Sequence, residues 1–170
     1  MTNKKIMIFA EKAFEDMELM YPKIFFSDLG FQVIVAGCGE KSYNGKYGYP
    51  ISVNGEICDF NADEFCAVIV PGGWAPDYLR RYSKALEFVR KMNSNGKVIA
   101  SICHGPWVLI SAGILKGKKV TCTPAIKEDV INAGASYCDE KVVVDGNIVT
   151  SRNPNDLAAF CNEILKLISK

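Results

Sequence analysis

The stretch K-V-I-A-S-I-C-H-G-P, residues 97–106, indicates the fold class by itself. Its first six residues, Lys97–Ile102, form a short, largely apolar run that is typical of a strand buried on both faces. Pro106 suits the first turn of a helix, where the missing N–H costs nothing. The stretch therefore predicts a strand that passes directly into a helix, with Cys103 and His104 at the turn.

The same alternation of buried strand and helix recurs along the chain. The predicted buried strands are Lys4–Ala10, Gln32–Gly37, Ala67–Val70, Lys97–Ile102 and Val120–Thr123. Helical stripes of apolar residues separate them, and D-G-N at 145–147 predicts a hairpin turn between Val142–Asp145 and Ile148–Ser151. This order predicts an α/β fold with a mostly parallel sheet between two helical layers. Without repeats or linkers, residues 1–170 are expected to form one domain.

Composition and charge exclude several classes of protein. Hydrophobic residues make up 49% of the chain, so a substantial core can form, and the formal net charge is +1 without charge runs. A basic stripe for nucleic acid is missing, so no nucleic-acid partner is expected. No apolar run is long enough to span a bilayer, and the N-terminus reaches Glu11 too soon for a signal peptide. We therefore expect no membrane association and a cytoplasmic location.

The cysteines and the single histidine do not suggest a metal site. Seven cysteines are scattered along the chain, and none forms a C-x-x-C pair: Cys38, Cys58, Cys66, Cys103, Cys122, Cys138 and Cys161. Zinc sites need clustered thiolates and imidazoles, which this pattern lacks. We interpret most of these thiols as small buried hydrophobic groups, and we predict neither a metal nor a cofactor.

Cys103 is the exception, because a nucleophile on a sharp strand-to-helix turn projects above the sheet. Such an elbow is crowded and needs small residues two positions away on each side, as Ser101 and Gly105 provide. The helix N-terminus favours a thiolate, and its N–H groups could stabilise an oxyanion. His104 can act as base only if the turn brings its ring back to the sulfur. The alternative is a buried structural thiol beside a surface histidine.

Two further features lie at the ends of other predicted strands. Gly72 and Gly73 follow the strand Ala67–Val70, where glycines let the backbone approach a ligand and point N–H groups at an anion. Glu15 follows the first strand and could exchange protons with a nearby thiol. The alternatives are a plain tight turn for the glycines, and a solvated carboxylate or an acid at a helix N-terminus for Glu15.

Several stretches together resemble one protein family. F-E-D-M-E-L-M-Y-P, V-I-V-P-G-G-W-A-P-D, I-A-S-I-C-H-G-P-W-V-L-I-S-A-G, I-K-E-D-V-I-N-A-G-A and V-V-V-D-G-N-I-V-T-S-R-N-P-N-D-L occur in order over nearly the whole chain. They are similar to the PfpI family, the intracellular-protease-like branch of the ThiJ/PfpI superfamily. Histidine directly after the cysteine is typical of that branch. The resemblance implies a flavodoxin-like three-layer sandwich with a nucleophile elbow.

The resemblance also implies roles for particular residues. Cys103 becomes the nucleophile and His104 its partner, while Glu15 matches the glutamate that contacts the cysteine. Gly73 and His104 match the positions whose backbone N–H groups form the oxyanion hole. Asp77 matches an acid that completes a Cys-His-acid triad from a neighbouring subunit. The family usually has glutamate there, and aspartate is one methylene shorter.

Three functions stay open at this point. Members of the family include glyoxalases, deglycases, peptidases and stress proteins or chaperones. A cysteine-dependent enzyme acting on small reactive carbonyls ranks first, an intracellular peptidase second, and a non-catalytic redox-sensing or chaperone protein third. The expected partners are a small carbonyl compound or a peptide, and a second copy of the chain. Asp77 and the bulky Trp74 beside it predict a homo-oligomer, dimer or hexamer.

Overall fold

The computed structural model describes residues 4–169, which contain eleven strands and six α-helices. The strands are β1 Lys5–Phe9, β2 Gln32–Gly37, β3 Ser42–Asn44, β4 Pro50–Ser52, β5 Gly55–Glu56, β6 Phe65–Val70, β7 Val98–Ile102, β8 Lys119–Val120, β9 Ser136–Tyr137, β10 Val142–Asp145 and β11 Ile148–Ser151. The helices are α1 Asp16–Asp28, α2 Ala75–Leu79, α3 Ser83–Ser94, α4 Pro106–Ala112, α5 Lys127–Asn132 and α6 Leu157–Ile168.

Seven strands form the central sheet, in the order β10-β11-β7-β6-β1-β2-β5. All neighbouring pairs are parallel except β10 and β11, which form the antiparallel hairpin that the sequence predicted. The chain builds outward from β1 in both directions, so the topological switch point lies between β1 and β6. Ligands of open α/β sheets bind at such a point, beyond the carboxyl ends of the strands.

Helices cover both faces of this sheet. Helix α6 contacts α1 and strands β6, β7, β10 and β11, whereas α3 contacts α4 and the other face of β6 and β7. The central strands are largely apolar because both faces are covered, and every residue of β7 is buried. The predicted α/β flavodoxin-like fold is confirmed. None of the helices within residues 4–169 is long and apolar enough to cross a bilayer.

The predicted strand Val120–Thr123 is shorter in the structure. β8 contains only Lys119 and Val120, and it pairs with β9 in a separate two-stranded sheet. After Val120 the backbone has other partners: the Thr121 N–H donates to Thr150 Oγ1, and the Thr123 N–H donates to the Cys103 carbonyl. The residues after Val120 therefore form hydrogen bonds outside the strand, and one of these bonds supports the turn at Cys103.

Candidate active site

Cys103 lies on a strained turn between β7 and α4. Its φ is 61°, in the left-handed region that costs a non-glycine residue about 1–2 kcal/mol. Two long-range backbone hydrogen bonds hold it there: its N–H donates to Ser151 O at 3.0 Å, and its carbonyl accepts the Thr123 N–H at 3.2 Å. Strain that is fixed by the surrounding structure is typical of functional sites.

The small residue predicted at position 105 has a direct structural reason. A Cβ added to Gly105 would lie 2.4 Å from Val70 O and 2.9 Å from Ile102 O. Both neighbours are strand backbone, which cannot move aside cheaply. Gly105 therefore allows the chain to turn out of β7 against the end of β6, and so places Cys103 at the switch point.

His104 turns back towards the sulfur, as the base role requires. Its Nδ1 lies 3.3 Å from Cys103 Sγ. The ring lies between two tryptophans, with its centroid 6.1 Å from that of Trp74 and 5.1 Å from that of Trp107. Burial, followed by the positive charge of Lys46, lowers the His104 pKa. The ring is consequently neutral at neutral pH and able to accept a proton.

Two backbone N–H groups point at the sulfur, those of Gly73 and His104. Gly73 has φ +74°, and a Cβ there would lie 2.4 Å from Ala13 O. The neighbouring Trp74 N–H donates to that same Ala13 carbonyl at 2.8 Å, so the loop after β6 is fastened to the loop after β1. The structure thus brings together, at the sulfur, the two N–H groups for which the family resemblance implies an oxyanion-binding role.

Gly72 has a different role from the one expected. Its N–H donates to Glu18 Oε2 at 2.7 Å and is not available to an oxyanion. A Cβ at Gly72 would lie 2.6 Å from that same oxygen and 2.7 Å from Cys103 Cβ. Gly72 therefore lets the Glu18 carboxyl group and the Cys103 side chain approach each other, and its place in the oxyanion hole is corrected.

Glu18, not Glu15, is the acid that interacts with the Cys103 thiol. The side chain of Glu18 is completely buried, and among residues 4–169 its Oε1 has no conventional hydrogen-bond partner. Burial raises its pKa to about 8 against the opposing effect of the Gly72 N–H. At neutral pH Glu18 therefore holds a proton that it can share with the sulfur.

Glu15 caps the helix that carries Glu18. It is the residue before the first turn of α1, and its Oε2 accepts the Glu18 N–H at 3.0 Å. The expectation that Glu15 contacts Cys103 is corrected, because its carboxylate is directed at the end of its own helix. Periodicity contained a signal for Glu18: it shares the buried face of α1 with Pro22 and Phe26, four and eight residues later.

The thiol differs from the low-pKa group that a helix N-terminus alone would produce. Burial, followed by the negative charge of ionised Glu18, raises the Cys103 pKa, and the N–H groups of Gly73 and His104 act in the opposite direction. Protonation of Glu18 removes the repulsion and replaces it with a hydrogen bond. Cys103 and Glu18 therefore titrate as a pair, and a thiolate forms most easily while Glu18 is protonated.

Asp77 lies in α2 and forms an ion pair with Arg81, one turn later in the chain. Among the described residues, the acid that acts on His104 is Asp129: its negative charge partly offsets the lowering of the His104 pKa, and its carboxylate accepts a hydrogen bond from Trp107 Nε1 at 2.6 Å. No sequence signal indicated Asp129, since only the tertiary packing of α4 and α5 brings it there. Trp74 stays 59% exposed beside Asp77.

Comparisons with known proteins identify the family of this chain. A family model described as the DJ-1/PfpI family matches residues 4–167. A deglycase from Pyrococcus abyssi is 46% identical over 164 residues, which cover 96% of this chain and 99% of the relative. Protein/nucleic acid deglycase 2 from Escherichia coli is 40% identical over 169 residues, which cover 98% of both chains.

A solved structure resembles the whole fold. It is a two-domain protein from Anabaena variabilis with DJ-1/ThiJ/PfpI-like and ferritin-like domains, with a TM-score of 0.95 and 44% identity. The match covers 98% of this chain and 48% of that one, so this chain spans about half its length. The Escherichia coli relative's name includes nucleic acid, which conflicts with the expectation of no nucleic-acid partner.

Proposed function

The chain belongs to the DJ-1/PfpI family, and on this premise we propose that it is a cysteine-dependent, deglycase-like hydrolase of reactive carbonyl compounds or their amine adducts. One observation carries the proposal. Cys103 Sγ lies 3.3 Å from His104 Nδ1 on a strained turn, and two backbone N–H groups and the Glu18 carboxyl group converge on the same sulfur.

The first step is thiolate attack on the carbonyl carbon. The Cys103 proton passes to His104 Nδ1, the sulfur forms a bond to the carbon, and the C=O π pair becomes an oxyanion. That oxyanion is positioned to accept hydrogen bonds from the N–H groups of Gly73 and His104. For a free aldehyde the product of this step is a hemithioacetal.

The second step needs proton transfer next to the sulfur, and this is the role that we assign to Glu18. Its pKa of about 8 allows it both to donate and to accept a proton near neutral pH. For methylglyoxal, transfer of a proton between the two carbons converts the hemithioacetal to a thioester. Water then cleaves the C–S bond, returns the thiol and releases lactate. From a hemiaminal adduct, the thiolate first displaces the amine: the C–S bond forms as the C–N bond breaks, the amine leaves with the proton that His104 took from Cys103, and the same two later steps follow.

We propose that a second copy of the chain completes the site, in a homo-oligomer of two or six subunits. Supporting this, Trp74 is exposed beside His104, and within its own chain Asp77 is paired only with exposed Arg81 among the described residues. The Asp77 carboxylate of one subunit would then approach His104 of the other. The shorter aspartate side chain would make this contact through a water molecule.

We further propose that residues 1–170 act as one PfpI-like domain in the cytoplasm. A continuous hydrophobic core and the family match over residues 4–167 support a single domain. The seven cysteines are all free thiols, which suits a reducing compartment.

The test measures methylglyoxal loss and lactate formation, beside peptide hydrolysis, for the wild type, Cys103→Ala and the control Cys58→Ala. Cys58 is an exposed thiol away from the turn. We expect lactate formation in the wild type and the control, and a loss of at least about a thousandfold in Cys103→Ala. Peptide hydrolysis without lactate formation would establish the peptidase instead. Equal rates in Cys103→Ala and the wild type would refute cysteine catalysis.

A further inference from the structure

We propose that Lys46 recognises an anionic group of the ligand at Cys103, so that the site favours small dicarbonyl compounds that also carry a carboxylate. This inference rests on the reactive Cys103 proposed above and adds the substrate class. It starts from a segment that the sequence argument left without a role, the turn between β3 and β4. That turn contains Lys46 and is directed at the active site.

The turn is attached to the loop that follows β1. The Lys46 N–H donates to Phe14 O at 2.8 Å, and the Ala13 N–H donates to Asn44 O at 2.8 Å. Phe14 also forms a β-bridge with Gly73, one of the two oxyanion donors. The backbone of Lys46 is therefore separated from the oxyanion hole by a single strand-like segment.

Asp16 provides a second attachment for the β3–β4 turn. Its two carboxylate oxygens accept the N–H groups of Tyr47 and Tyr49, each at 3.0 Å. Gly45 packs directly against this carboxylate, since a Cβ there would lie 2.4 Å from Asp16 Oδ1. Asp16 is the first residue of α1, the helix that carries Glu18. Helix α1 consequently positions both the Lys46 backbone, through Asp16, and the carboxyl group of Glu18.

The side chain of Lys46 is exposed, and its charge acts on the site. Its ammonium group lies 4.9 Å from the centroid of the Tyr47 ring. It attracts the charges of Glu15 and Cys103, and its field lowers the His104 pKa. Lys46 is thus within electrostatic range of the sulfur, and its ammonium group is exposed to solvent beside the Tyr47 side chain.

The chemistry of the site leaves a specific task for such a cation. The N–H groups of Gly73 and His104 are directed at the oxyanion that forms on the attacked carbon. A carboxylate elsewhere on the substrate would bring a second negative charge, which those groups cannot also bind. At a distance of 4 Å in a solvated site, an ammonium group stabilises that charge by an amount equivalent to roughly a fivefold change in rate or affinity.

Alkylation of Cys103 by a matched pair of reagents tests this directly. Iodoacetate and iodoacetamide deliver nearly the same group, and in both cases a C–S bond forms while iodide leaves. Only iodoacetate carries a charge. We would measure second-order rate constants at fixed pH, with peptide mapping to assign the modified thiol, for wild type, Lys46→Met, Lys46→Arg and Lys41→Met. Lys41 is an exposed lysine that precedes the same hairpin.

Lys46→Met should lower the ratio of the iodoacetate rate to the iodoacetamide rate at Cys103 about fivefold. Lys46→Arg and Lys41→Met should keep the wild-type ratio, and high salt should lower the wild-type ratio. Because both reagents react with the same thiolate, their ratio is independent of any change that the loss of the Lys46 charge makes to the ionised fraction of Cys103. If the ratio is the same in wild type and Lys46→Met, Lys46 does not recognise the anion, whereas the proposed nucleophile stands. If neither reagent modifies Cys103 while Cys58 is modified, the proposed function itself fails.

Discussion

Glu15 and Glu18 lie one helical turn apart, and both are almost completely buried, yet they do different things. Glu15 accepts a hydrogen bond from the backbone of its own helix. Glu18 accepts one from Gly72, on the loop that follows β6, and interacts with the thiol of Cys103. The first contact is local in the chain, whereas the second joins three separate segments.

The comparison shows that burial alone does not give a carboxyl group a chemical role. What differs is the environment of each acid. Glu18 is enclosed beside the sulfur, where burial raises its pKa to about 8, whereas Glu15 satisfies a helix end. Substitutions that keep the shape of each side chain can therefore separate proton transfer from helix capping.

The largest expected difference is in catalysis. Glu18→Gln should lower kcat/KM by about a hundredfold, because an amide can accept from Gly72 and donate to the sulfur but cannot transfer a proton. Glu15→Gln should change it less than about fivefold, because the amide oxygen still accepts the Glu18 N–H. The rate of lactate formation from methylglyoxal gives kcat/KM for both variants. A larger loss in Glu15→Gln would reverse the assignment of the two acids.

The next difference is in the dependence of stability on pH. Because the Glu18 pKa is raised to about 8 in the folded protein, between about pH 4.5 and 8 the folded state retains a proton that the unfolded state has released. The stabilisation that is present at low pH is therefore lost as the pH rises through this window. The loss is at most a few kcal/mol, since one pKa unit corresponds to about 1.4 kcal/mol.

Denaturant unfolding of wild type and Glu18→Gln, at a series of pH values from 4.5 to 9, measures this effect. The variant should lose less free energy of unfolding across the window, because the amide has no proton to release. If the two proteins lose stability in parallel, Glu18 is not the protonated acid of the site.

The smallest expected difference concerns the cap. Glu15→Ala removes the acceptor of the Glu18 N–H and should lower the free energy of unfolding at pH 7 by about 1 kcal/mol. Glu15→Gln serves as the matched control and should stay within a few tenths of wild type. Urea denaturation distinguishes the two, and an equal loss in both variants would show that the charge, and not the hydrogen bond, stabilises the helix.

The features that could be predicted from the sequence are those that depend on neighbouring residues. The turn at Cys103 follows from an apolar run, small flanking residues and Pro106, and the hairpin β10–β11 follows from D-G-N between two β-branched runs. The approach of the Gly73 backbone to the site could be predicted because a glycine pair closely follows β6. In each case the residues that decide the geometry lie within a few positions of each other.

The assignments that failed depend on contacts between distant segments. Helical periodicity places Glu18 on the buried face of α1, and leaves Glu15 outside the helix, only once α1 is known to begin at Asp16. Each further residue turns the side chain by about 100° around the helix axis, so an error in the first residue changes which acid faces the core. The position of Asp129 depends on how α5 packs against α4, and the position of Lys46 depends on how the β3–β4 turn is attached to the loop after β1. No local pattern near either residue indicates that contact.

The backbone of Cys103 has a consequence for the order in which the protein becomes active during synthesis. Its N–H group bonds to Ser151, and its carbonyl group bonds to Thr123. A ribosome that has produced residues 1–110 has made the nucleophile and its neighbours, but neither of these two partners. The left-handed turn would therefore relax in the nascent chain. The geometry of the site at Cys103 is therefore coupled to completion of the fold, because the turn has neither backbone partner until Thr123 and Ser151 have been made.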